Sequence, residues 1–175
     1  MNENMTHGFI TANIQQYNIL VLHLNPHKYR KRREEIATVL ETIAGTKDKN
    51  NWVIMGDFNS NTPLEKDRIA TSNLIPWQQS LVLKNPKIEN LVNGNEVDFE
   101  VQQHMLDAHF TDALHAYDQR ERSRGGSDTM RTKTRIDYIY LSKNLAKKTI
   151  SCKFIYDNFT GKYSDHKPVL LDLNK

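Results

Sequence analysis

The chain has 175 residues, of which 38% are hydrophobic and 26% are charged, and its net charge is +3. These values favour one soluble globular domain over residues 1–175, and the mild positive charge permits a phosphate-bearing substrate without requiring one. Cys152 is the only cysteine, which excludes an intrachain disulfide and a thiolate metal site.

The chain begins with two predicted strands, at 9–14 and 18–24, joined by a turn. The second is a nearly continuous apolar run with His23 at its end. Such runs are typical of strands that are covered on both faces.

A helix is predicted at 30–44, because Ile36, Val39 and Ile43 form one apolar stripe. Five cationic residues between Lys28 and Arg33 open this helix, where they oppose its dipole. A solvated helix face is the favoured interpretation, and contact with a phosphate is the alternative.

The rest of the chain is predicted from shorter patterns. An apolar strand at 52–55 runs into Gly56-Asp57, and 61–95 reads as irregular because it carries three prolines. The remaining predictions are a helix at 99–108, a polar basic loop at 117–134, and strands at 136–141, 150–156 and 169–173, with 111–116 unassigned. This order predicts an α/β (α+β) fold, a layered β-sandwich flanked by helices.

Five polar residues fall at the ends of these strands: Asp57, Asn59, Asp137, Asp165 and His166. Magnesium prefers such oxygen ligands, and an imidazole acts as a base, or as a cation once a carboxylate raises its pKa. A carboxylate inside an apolar strand, as at Asp137, is costly unless it is paired or bound to metal. Each residue alone has a plainer reading, such as a turn at Gly56-Asp57, but their combination points to metal-assisted hydrolysis of a phosphoester.

The chain resembles the endonuclease/exonuclease/phosphatase superfamily, which has the deoxyribonuclease I-like fold. Its signatures appear here in order as His23-Leu24, Gly56-Asp57-Phe58-Asn59, Arg135-Ile136-Asp137-Tyr138-Ile139 and Ser164-Asp165-His166-Lys167-Pro168. The resemblance extends from about residue 9 to residue 173.

The resemblance implies a role for each residue. Asp57 would position or deprotonate the attacking water, and Asn59 would hydrogen-bond the phosphate or that water. His166 would contact the scissile phosphate with its ring oriented by Asp137, and His23 would protonate the leaving group. Asp165 would bind Mg²⁺ or Mn²⁺ together with Asp57 and Asn59.

The resemblance covers only the C-terminal two-thirds of the family's fold. The N-terminal strands, and the glutamate that is the family's principal metal ligand, have no counterpart. We therefore expect a weaker metal site and an incomplete sandwich whose exposed apolar face is covered in a homodimer. The alternative to an enzyme is a catalytically impaired fragment or a noncatalytic domain that binds phosphate-bearing ligands.

The basic loop before Asp137 supplies three candidate ligands for substrate phosphates, Arg131, Lys133 and Arg135. Nucleic acid, nucleotide, inositol phosphate and lipid phosphate all remain open as substrates. The sequence shows no transmembrane segment and no signal peptide. The compartment also remains open: cytoplasmic, or secreted or periplasmic if an upstream signal segment was removed.

Overall fold

The computed structural model describes residues 4–128, 130 and 132–174. The strands in these residues are β1 Gly8–Ile14, β2 Tyr17–His23, β3 Trp52–Asp57, β4 Leu91–Val92, β5 Glu96–Val97, β6 Thr111–Asp112, β7 Asp137–Leu141, β8 Thr149–Phe154 and β9 Val169–Leu173. The α-helices are α1 Tyr29–Gly45, α2 Lys66–Ala70, α3 Leu74–Lys84, α4 Glu100–Asp107, α5 Ala113–Ser123, α6 Lys143–Ala146 and α7 Asn158–Tyr163. None of the helices in the described ranges has the length and apolar character needed to cross a membrane.

The central sheet has the strand order β1-β2-β3-β7-β6. Strand β2 is parallel to β3, and β7 is antiparallel to β3. Consequently the ends of β2 and β3 and the start of β7 lie at the same edge of the sheet. Strands β8 and β9 form a separate antiparallel hairpin.

Both faces of the central sheet carry a hydrophobic cluster. On one face Leu20, Ile54 and Tyr140 pack with residues of helices α1 and α4. On the other face Val53 and Ile139 pack with residues of α5 and of the β8–β9 hairpin, including Cys152. The predicted mixed α/β fold, with helices flanking a multistranded sheet, is confirmed.

The β1 side of the second face remains uncovered by the described residues. Ile10 is 73% exposed and Ile14 is 56% exposed, and Val21 on the neighbouring strand is 45% exposed. Ile10 and Val21 are register partners, so their side chains lie on the same face. These three residues form an apolar strip beside the hairpin, which we call the open face.

Two regions differ from the sequence prediction. Helix α3 lies within the stretch predicted to be irregular, because Pro76 falls in the first turn of the helix, where proline is tolerated. Helix α5 extends to Ser123, so the predicted loop at 117–134 is wrong over its first residues. The Asp112 side chain caps this helix by accepting a hydrogen bond of 3.1 Å from the backbone N–H of His115.

Candidate active site

Three of the predicted site residues form one row across the sheet edge. His23 pairs in register with Asp57, and Asp57 pairs in register with Asp137. Residues directly opposite on neighbouring strands point to the same face, so the imidazole and the two carboxylates share one surface. The topology therefore brings together residues that are separated by up to 114 positions in the sequence.

His166 approaches this row from the segment that precedes β9. Its Nδ1 lies 2.8 Å from Asp137 Oδ2, and its Nε2 lies 4.0 Å from Asp57 Oδ2. The hydrogen bond to Asp137 raises the pKa of His166 above its ordinary value. The sequence analysis predicted that Asp137 orients the ring of His166, and the structure places the two side chains within hydrogen-bond distance.

Asp57 lies between two imidazoles. Its Oδ2 is 3.7 Å from His23 Nε2 and 4.0 Å from His166 Nε2. Burial raises the pKa of Asp57, and the nearby negative charge of Asp137 raises it further. A carboxylate with a raised pKa is a stronger base than an exposed aspartate, which suits a group that takes a proton from water.

Asn59 is held in a tight turn directly after Asp57. Its φ of +49° is in the left-handed region, which asparagine tolerates, and its backbone N–H donates to Asp57 Oδ1 over 2.7 Å. The side-chain amide donates to the carbonyl of Leu24 over 3.0 Å. These two bonds fix the Asp57 carboxylate and turn the Asn59 side chain toward the end of β2.

Gly56 is required by the close approach of β2 and β3. Its φ is +137°, and a Cβ atom at this position would lie 1.9 Å from the backbone oxygen of Leu22. No L-residue with a side chain fits without moving a neighbouring strand. The close contact between β2 and β3 thus explains why the Gly-Asp-Phe-Asn box begins with glycine.

The donor atoms present fit a hard divalent cation. Asp57, Asp137 and His166 each offer a ligand atom, and these atoms all lie within 4.8 Å of one another. Two partly buried carboxylates this close repel each other, and a cation between them would relieve that repulsion. Asp165 lies outside this group: it is exposed and borders the adjoining cavity with Asp137 and His166.

The three predicted phosphate ligands differ in their surroundings. Arg135 is buried, and its guanidinium pairs with two carboxylates, with 2.5 Å from Nη2 to Glu65 Oε1 and a second contact from Nη2 to Asp112 Oδ2. This guanidinium joins the segment before β7 to β6 and to the short 3₁₀ helix Pro63–Glu65. Lys133 is exposed and donates to the carbonyl of Thr71 over 2.8 Å, and Arg131 lies outside the described residues.

Sequence reasoning missed His7. Its ring stacks on that of His23, with 4.3 Å between ring centroids. It lies just before β1 in a polar segment without a motif, so only the strand pairing of Gly8 with His23 brings it to the site.

The match to a family profile decides the relationship to known proteins. The profile of the Endonuclease/Exonuclease/phosphatase family matches residues 4–166. The chain belongs to this family. No curated protein matches the sequence.

Solved structures of other proteins share the fold of this family member. A 3′ phosphatase, NExo, from Neisseria bound to a product DNA hairpin matches with a TM-score of 0.63 at 18% identity. An AP endonuclease from Archaeoglobus fulgidus matches with a TM-score of 0.62, also at 18% identity. Each match covers 95% of this chain but only 65% of the other protein, so the chain spans just under two-thirds of their length.

Proposed function

We propose that the protein is a divalent-metal-dependent phosphoesterase that hydrolyses a phosphodiester or phosphomonoester by attack of water. The observation that carries the proposal is the hydrogen-bonded Asp137–His166 pair beside Asp57, built on adjacent ends of the central sheet. Membership of the Endonuclease/Exonuclease/phosphatase family supports hydrolysis as the general chemistry.

In this proposal Asp57 positions the attacking water and accepts its proton. Its burial beside Asp137 and its raised pKa are the features that support a basic role. Asn59 hydrogen-bonds the phosphate or the water, and its backbone N–H bond to Asp57 Oδ1 holds the residue beside that carboxylate. His166, held by Asp137 and favoured in its charged form, contacts the scissile phosphate and stabilises the charge that develops there.

His23 is the proposed donor of a proton to the leaving oxygen. Its Nε2 lies 3.7 Å from Asp57 Oδ2, and His23 stands at the β2 end of the row. A general acid at this end of the row leaves the other end, at His166, for the phosphate.

The proposed cofactor is Mg²⁺ or Mn²⁺, which when bound neutralises charge on the phosphate oxygens. Asp57 and Asn59 are its proposed ligands, and Asp137 is added because its carboxylate lies in the same group of donor atoms. Asp165 stays a proposed ligand whose exposed carboxylate borders that group. Lys133 and Arg131 stay proposed contacts for more distant phosphates of the substrate.

A nucleic acid or nucleotide is the proposed substrate class. The Neisseria protein, which shares the fold, was solved with a product DNA hairpin. We also infer that a second copy of the chain covers the open face, because Ile10, Ile14 and Val21 expose a continuous apolar strip beside strand β1.

The direct test is hydrolysis of a generic phosphodiester and a phosphomonoester, measured with Mg²⁺, with Mn²⁺ and with a chelator. We expect turnover that requires metal, and a loss of about 10²-fold or more in Asp57→Asn and in His166→Ala. His104→Ala is the matched control, because His104 is exposed on α4, away from the row. Full turnover in both site variants would refute the mechanism, and no turnover with either metal would favour the noncatalytic alternative.

A further inference from the structure

A cavity of about 460 Å³ opens beside Asn59. Helix α3 forms one wall with Leu74, Trp77 and Leu81, and Ile88 extends the apolar surface. Arg32 and Asp98 supply charged groups to the same cavity. Its volume is in the range of small-molecule binding sites in proteins.

Arg32 is an unusual group to find at such a cavity. The residue is 2% exposed, and no carboxylate in the described ranges lies within ion-pair distance of its guanidinium. Its Nη1 donates to the carbonyl of Asn25 over 3.1 Å and to Asn90 Oδ1 over 2.7 Å. Its Nε is buried and has no hydrogen-bond partner within the part of the chain that the structure describes.

This arrangement is costly in the protein alone. Burial lowers the pKa of Arg32 to about 10, and the nearby charges of Asp98, Glu35 and Asp57 limit that shift. The guanidinium therefore stays charged at neutral pH, although none of these carboxylates is in direct ion-pair contact with it. A buried charge with an unsatisfied donor destabilises a fold unless some other group compensates for it. The Arg32 side chain lines the cavity, so a ligand there that carries a hydrogen-bond acceptor would add to the groups that offset this charge.

Asp98 restricts the chemistry of that ligand. Arg33 occupies its Oδ1 through contacts of 3.1 Å from Nε and 2.8 Å from Nη2. Its Oδ2 is buried and has no hydrogen-bond partner among the described residues. A carboxylate at the cavity disfavours binding of a further phosphate besides the one that is hydrolysed. It favours a neutral ligand that carries a hydrogen-bond donor as well as an acceptor.

Trp77 adds an aromatic surface. Its side chain lines the cavity while the residue is 51% exposed, although large aromatic side chains are usually more deeply buried. Such an indole face is the kind of platform on which a planar heterocycle stacks.

We propose that this cavity, lined by Arg32, Trp77 and Asp98, is a subsite for a nucleobase of the substrate. A nucleobase is planar and neutral and carries both acceptors and donors on its edge, so it matches the indole, the guanidinium and the carboxylate together. Asn59 lines the cavity and belongs to the catalytic turn, so a nucleotide with its base here has its phosphate near Asp57. The inference deepens the proposed function and rests on it for the position of the phosphate.

Binding can be measured separately from catalysis. Isothermal titration calorimetry of metal-free Asp57→Asn protein compares the four deoxynucleoside monophosphates with the same sugar phosphate lacking its base. We expect at least one nucleotide to bind about tenfold more tightly, at the low end of what base stacking contributes. Trp77→Ala and Arg32→Met should abolish this preference, and Leu83→Ala should retain it, because Leu83 lies on the same helix but is 87% exposed.

Equal affinity for nucleotide and sugar phosphate, or a preference that survives Trp77→Ala, would overturn the proposal. If circular dichroism shows Arg32→Met to be unfolded, the Trp77→Ala result decides alone. A base preference without hydrolysis by the wild-type protein would refute the phosphoesterase function and leave the subsite standing. Hydrolysis by the wild-type protein without any base preference would refute the nucleobase subsite and leave the phosphoesterase function standing.

Discussion

Asp137 Oδ2 lies 2.8 Å from His166 Nδ1, and this contact joins the central sheet to the segment that connects β8 to β9. The carboxylate stands at the first residue of β7, and the imidazole stands three residues before β9. The pair therefore links the central sheet to the connection between β8 and β9, and it also fixes the His166 ring beside Asp57.

Replacing Asp137 by Asn should lower the pKa of His166 in the metal-free protein. The carboxylate favours the charged ring, so its removal moves the pKa back toward the ordinary value. The raised pKa contributes stability that is present below the unfolded-state pKa and is lost as the pH rises through the folded-state value. NMR titration of the His166 ring checks the shift, and an unchanged pKa would contradict it.

Gly56→Ala should destabilise the protein by at least about 2 kcal/mol, because the new methyl group meets the backbone of Leu22. Gly45→Ala is the control, since the space around Gly45 is open. Chemical denaturation of both variants measures the difference. Equal unfolding midpoints for the two would show that β2 and β3 are not packed as closely as described.

Arg135→Met should cost about 3–5 kcal/mol of folding free energy, because it leaves Glu65 and Asp112 buried without their shared partner. Lys133→Met, two residues away and exposed, should leave the unfolding midpoint unchanged. Thermal melts compare the two. A stable Arg135→Met protein with impaired substrate binding would instead restore the phosphate-contact role predicted from the sequence.

His23→Ala should reduce turnover by about 10²-fold for a substrate with an alkoxide leaving group. The loss should be much smaller for a nitrophenyl ester, whose leaving group needs no proton. The comparison of kcat for the two substrates checks the role of His23 as the acid. An equal loss for both would assign His23 to positioning of Asp57, from which it is 3.7 Å away.

The open face should produce a concentration-dependent homodimer. Ile10→Lys together with Val21→Lys places charge on this face and should shift the protein toward the monomer. Ile150→Lys is the control, since Ile150 is also exposed but lies on β8. Sedimentation velocity measures the equilibrium, and a monodisperse wild-type monomer with a normal melting transition would refute the dimer.

The sequence was sufficient to predict the strands that carry the site. Strands β2, β3 and β7 are apolar runs that end or begin at a polar residue, and each of these polar residues belongs to a recognisable box. The resemblance implied that these residues act together, and the register of His23, Asp57 and Asp137 brings them to one edge of the sheet.

Other features depend on contacts over long sequence distances, which local patterns do not reveal. In the sequence, Arg135 resembled an exposed cation at the edge of the site, because its partner Glu65 lies 70 residues away and no local pattern connects the two. Arg32 resembled a member of a solvated basic cluster, but tertiary packing buries it at the cavity. Helix α5 was missed because its second half is polar and charged and shows no apolar stripe.

Under the proposed mechanism, activity depends on strand register, because His23, Asp57 and Asp137 form one row across β2, β3 and β7. A slip of β3 by one residue would turn the Asp57 carboxylate to the opposite face of the sheet, although the amount of strand structure would hardly change. Such a chain would have a folded circular dichroism spectrum and yet would not hydrolyse a phosphoester. The turnover per molecule of a refolded preparation would therefore measure the fraction of molecules whose strands have the correct register.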